Sequence, residues 1–90
     1  MLDTPSYIGD SLPIAASIRA SGIPVHVIAV NASKCFFRAP DTPDVRQIVE
    51  HYVAGTLKLN PSAFEAARVA LVAEIRDALA ARRQAEARRV

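Results

Sequence analysis

Glycine and proline divide this 90-residue chain into segments more sharply than any other feature. Gly22-Ile23-Pro24 reads as a helix stop: a residue free to adopt left-handed backbone, then one that cannot continue a helix. Asp41 or Thr42 before Pro43, and Asn60 before Pro61, read as helix starts. In each, a side chain able to cap the first amides precedes a proline whose missing N–H does no harm in the first turn. Gly55 closes the segment between them.

Periodicity inside these boundaries assigns the elements. Asp10 or Ser11 caps a first helix that runs to about Ser21, with Leu12, Ala15 and Ala16 on one face. Val45, Ile48, Val49, Tyr52 and Val53 follow the i, i+3, i+4, i+7, i+8 spacing of an amphipathic helix ending at Gly55. Phe64, Ala67, Leu71, Val72, Ile75, Ala78 and Leu79 form the apolar face of the last helix, and Leu59 sits where it can staple onto Phe64. From Ala80 onward the large apolar residues disappear, so the expectation is a basic tail that frays or awaits a partner. Residues 1–9 carry no sustained period and are expected to form an irregular, mobile arm.

Two segments read as strands. Val25–Val30 is β-branched and apolar on both faces, which predicts a largely covered strand. Lys34–Arg38 alternates: Cys35 and Phe37 point one way, and Lys34, Phe36 and Arg38 point the other. Pro40 ends that strand.

Size and charge narrow the function classes. A chain this short buries only about 60 to 65 per cent of the surface its unfolded form exposes. With 51% hydrophobic residues, some apolar surface is expected to be meant for a second copy, making a homodimer. The net charge of +2 is uneven, with six of the eleven basic residues in the last 23 positions (Arg68, Arg76, Arg82, Arg83, Arg88, Arg89). Such an end suits phosphate contact and equally suits a solvated helix. The lone Cys35 cannot form an internal disulfide, the amino terminus shows no charged region followed by an apolar run of signal-peptide length, and no stretch approaches the roughly 18 apolar residues of a membrane span, so a reducing, cytoplasmic location without membrane contact is expected.

Catalysis would have to draw on Cys35, His26 and His51. Cys35 lies beside two phenylalanines and His26 in an apolar strand, where an inert thiol is the commoner finding. A metal site built from His26, His51 and Glu50 is not required by any spacing, and no glycine-rich phosphate loop is present. The expectation is a protein that is not an enzyme and needs no metal or other cofactor.

Residues 34–79, with the strand alternation, the closing Pro40, the two helix lengths and the Gly55-Thr56-Leu57-Lys58-Leu59 connection, resemble the ribbon-helix-helix family of bacterial repressors, to which Arc-type repressors belong. The resemblance implies a mainly α dimer with a short β element, in which one strand from each subunit pairs into a ribbon that enters the major groove of DNA. It implies base contacts from Lys34, Phe36 and Arg38. Phosphate contacts would come from Asn60 and Ser62 at the last helix's start and from Arg82 and Arg83. The shared dimer core would hold Cys35, Phe37, Ile48, Val49, Tyr52, Phe64, Leu71 and Ile75. On this scheme residues 1–33 are an N-terminal extension, 34–79 the strand-helix-helix core and 80–90 the basic tail. The function implied is sequence-specific repression of transcription by a homodimer bound to double-stranded DNA.

Phe36 is apolar where that family's outward positions are usually polar, and Val25–Val30 is a strand the simple fold does not use. The alternative is an α+β fold in which Val25–Arg38 forms an intramolecular hairpin on three helices. Its exposed apolar surface would then serve a protein partner in a small interaction or modulator protein.

Overall fold

The helix boundaries are set by local chemistry. In the computed structural model, which describes residues 6–88, the order is β1 (Ser6–Gly9), α1 (Leu12–Ala20), β2 (His26–Ala29), β3 (Cys35–Pro40), α2 (Pro43–Ala54) and α3 (Pro61–Ala87). The Ser11 hydroxyl accepts from the Ile14 amide, the Thr42 hydroxyl from Val45, and the Asn60 side-chain oxygen from both Ser62 and Ala63. Each cap satisfies amides that have no partner within the helix, and each is followed by a proline in the first turn. Gly22 and Gly55 carry the left-handed backbone, with φ of 87° and 75°, that ends α1 and α2.

The strands form one antiparallel sheet in the order β1-β3-β2. Ser6–Gly9, expected to be irregular, is therefore a strand: it pairs with Gly9 opposite Phe37 and Ser6 opposite Pro40. Residues 1–5 of the expected arm lie outside the described residues, as does Arg89 of the basic tail. β2 and β3 form the hairpin of the α+β alternative, with His26 opposite Arg38 and Ala29 opposite Cys35. The fold is a small α+β arrangement of three strands and three helices.

This pairing corrects the expected placement of β3. Both of its edges are occupied within the chain, by β1 and by β2. A ribbon made with the same strand of a second copy would have to displace one of them. Far from extending a core that begins at residue 34, residues 6–33 supply two of the three strands and the helix at the centre of the packing.

That centre is α1. Its Ala15, Ala16 and Ile18 are buried together with Val25 and Phe37, Ala39 of β3, Val45 of α2, and Ala67 and Leu71 of α3. The small side chains on α1 and α3 let the two backbones approach closely, and the principal helix contact is between them. Of the residues expected to build a shared dimer core, Phe37 and Leu71 are buried inside the single chain, and Ile48, Val49, Phe64 and Ile75 pack against the same core. Cys35 is half-buried on the helix side of β3, and Tyr52 keeps 37% of its surface exposed. A second copy is not needed to cover the core.

α3 remains helical to Ala87 instead of fraying after Leu79. Ala78, Leu79, Ala80 and Arg82 are half-buried, and the helix contacts β2. Tertiary packing therefore supplies what the loss of large apolar residues removed. Arg19 fastens the junction: its guanidinium grips both carboxylate oxygens of Glu74, one at 2.9 Å, and donates to the Val25 carbonyl just ahead of β2. Hydrogen bonding to Arg19 holds the Glu74 carboxyl below its ordinary range and raises the guanidinium in return.

Candidate nucleic-acid interface

Strand alternation divides the sheet into two faces. Odd-numbered residues face the helices: Val25, Phe37 and Ala39 are buried, and Tyr7 and Val27 pack against the core. Even-numbered residues face away. The pairing register lines them up in rows across the sheet, with Ile8, Arg38 and His26 in one row and Phe36 and Ile28 in the next. Beyond them the Val30 amide donates to the Lys34 carbonyl at 2.9 Å, which sets Val30 opposite Lys34.

No helix covers this outer face among the described residues. Ile8 is 59% and Val30 44% exposed; His26, Lys34 and Arg38 are exposed as well. Phe36 and Ile28 are half-buried because they stand directly opposite one another. Val25–Val30 was expected to be largely covered. Instead Val25 is buried, Val27, Ile28 and Ala29 are half-buried, and His26 and Val30 are exposed.

The three side chains that sequence alternation assigned to a ligand, Lys34, Phe36 and Arg38, thus occupy one uncovered surface. Successive outward residues on a strand are about 7 Å apart, so the two cations flank the phenyl ring at the ends of a line about 14 Å long. His26 joins them across the hairpin, opposite Arg38. Alternation in β3 gave no hint of it, because its place depends on the cross-strand register. Asp10, one residue beyond β1, is the acidic residue nearest this surface in register.

The other expected contacts do not join that surface as one cluster. Asn60 spends its side chain on capping α3, so two of the amides it was expected to leave for phosphate are already bonded. Arg82 and Arg83 lie about 30 Å further along α3. Arg82 is half-buried, with its Nε 3.4 Å from Glu86, whereas Arg83 is exposed.

The geometry also disposes of the catalytic pairing. Pairing sets Ala29 opposite Cys35 and Arg38 opposite His26, and His26 and Cys35 lie on opposite faces of the sheet. His51 sits at the exposed C-terminal end of α2, with its Nδ1 3.0 Å from the Thr56 hydroxyl. A groove of about 350 Å³ lies between α1 and the α2–α3 connection, lined by Ser17, Tyr52, Leu57, Leu59 and Phe64 among others. Leu59 and Phe64, the residues expected to form the staple, both line it. Its Ser17 hydroxyl donates to the Pro13 carbonyl, and its lining holds no carboxylate, histidine or cysteine. No described helix is long and apolar enough to cross a membrane.

Comparison with family models, curated proteins and solved structures finds no match to this chain.

Proposed function

We propose that this protein is a nucleic-acid-binding domain, in the role of a DNA-binding regulator, whose contact surface is the uncovered face of its sheet. The observation that carries this reading is the grouping of Lys34, Phe36, Arg38 and His26 on a face that no helix covers. Cations there attract phosphate and release counterions, while the ring and the flanking aliphatic side chains offer contact to bases. Neither a cofactor nor a catalytic group is needed for such a role. A ribbon-helix-helix repressor dimer is the narrower form of the proposal. It assigns the same Lys34, Phe36 and Arg38 to the ligand, and requires β3 to exchange β1 or β2 for a second copy.

The test is a titration of labelled DNA at low and at about 200 mM salt, with sedimentation of the same sample. Binding is expected to weaken with salt, and Arg38→Ala is expected to lower the slope of log affinity against log salt by about one while the fold is retained. A dimer that prefers one sequence even at the higher salt supports the repressor form. Intact affinity in the Arg38→Ala variant overturns the assignment of this face.

A second reading rests on Ile8 and Val30, two large apolar side chains exposed at 59% and 44% on the same face. Exposed apolar surface of this kind also fits a protein partner. It predicts DNA affinity that is weak, indifferent to sequence and absent at about 200 mM salt, because only the arginines of α3 would contribute.

A further inference from the structure

We infer that the ligand of the outer sheet face is a single strand of nucleic acid, with bases laid over Phe36 and His26 and backbone phosphates held by Lys34 and Arg38. This rests on the proposed nucleic-acid reading and narrows it.

Width is the first argument. β1 and β2 flank β3, so their axes are about 10 Å apart before side chains are added, and helices back the sheet. A major groove about 12 Å wide admits a helix or a two-stranded ribbon. A three-stranded platform backed by helices meets a duplex on its phosphate ridges, where Ile8, Ile28, Val30 and Phe36 find no apolar partner.

The middle of the platform offers surface suited to exposed bases. Phe36 and Ile28 form a row, and the next row holds Arg38 with Ile8 and His26 on either side. These side chains present flat or aliphatic surface outward. A duplex keeps its base faces stacked inside, whereas a single strand exposes them, and sheets that bind single strands stack two or three bases on such residues. Charge favours it too: Lys34 and Arg38 bracket the ring, placed to meet two phosphates of one backbone. Glu74 is already held by Arg19. Asp10, one residue beyond β1, is the acidic residue nearest the patch; carrying the register on by one residue sets it beside Phe36.

The experiment is fluorescence anisotropy of the full chain with a labelled 12-nucleotide oligo-dT, an oligo-rU of the same length and a mixed-sequence duplex, each at about 50 and 200 mM salt. The single strands are expected to bind at least tenfold more tightly than the duplex. Phe36→Ala is expected to weaken them roughly 5- to 100-fold, as loss of one stacking side chain does. Phe36→Leu keeps the aliphatic bulk against Ile28 and the fold, and is expected to show most of the same loss; Phe36→Trp is expected to restore binding. Duplex bound as tightly as single strand, or Phe36→Leu binding like the parent chain, overturns this inference and leaves the nucleic-acid reading standing. Binding to none of the three overturns both.

Discussion

The two faces of one sheet are built from the same three short strands, yet they are used in opposite ways. The odd residues Val25, Phe37 and Ala39 are buried under α1 and its neighbours. The even residues Ile8, His26, Lys34 and Arg38 meet solvent. Neighbouring phenylalanines show the contrast best: Phe37 is 4% exposed in the core, while Phe36 is half-buried opposite Ile28. Apolar character therefore does not identify the core here. Which side the helices occupy does.

The sharpest way to break this comparison is to truncate both rings. Phe37→Ala is expected to cost about 3 to 5 kcal/mol, enough to unfold much of a 90-residue domain. Phe36→Ala is expected to cost about 1 kcal/mol, since its ring is already partly in water. Urea denaturation would compare them, and equal losses would mean that the outer face is covered after all.

Arg19 tests whether the covered side is held by polar contacts as well as by burial. Arg19→Ala removes the grip on Glu74 and the bond to the Val25 carbonyl, with an expected loss of about 1 to 2 kcal/mol after allowance for the partial exposure of both groups. Because the folded chain holds the Glu74 carboxyl below its ordinary range, the pair stabilises fully above that range. Its contribution fades as the pH falls through the folded value. Thermal melts across acid pH should show that loss in the parent chain and a flatter profile in Arg19→Ala.

Gly55→Ala sharpens the placement of α2, since a φ of 75° is strained for any side chain although no atom lies within 4 Å of a new Cβ. A loss of about 1 kcal/mol is expected, read from the urea midpoint. The smallest effect belongs to Arg38→Ala, which should alter stability by no more than about 0.5 kcal/mol. Were it to destabilise the chain substantially, Arg38 would have a structural role and the outer face would lose its main candidate contact.

Local chemistry made much of this legible in advance. The caps at Ser11, Thr42 and Asn60, the prolines behind Thr42 and Asn60, and the glycines at 22 and 55 act within one turn, so the three helix starts and two of the ends could be read along the chain. The alternation of Lys34, Phe36 and Arg38 against Cys35 and Phe37 is equally local, and it correctly separates the sides of β3. Ser6–Gly9 had no such signal, because a four-residue segment becomes a strand only through the partner beside it. The same is true of His26, which reaches the outer face by pairing opposite Arg38.

Capping and pleat depend on neighbours a few residues away, so the helix starts and the shared face of Phe36 and Arg38 are written locally in the chain. Long-range packing set the rest: β1 and β2 on both edges of β3, α3 helical beyond Leu79, and Arg19 meeting Glu74 across 55 residues. Those outcomes depend on contacts between distant segments, whose free energy is set by the surface they bury together and is not encoded in either segment alone.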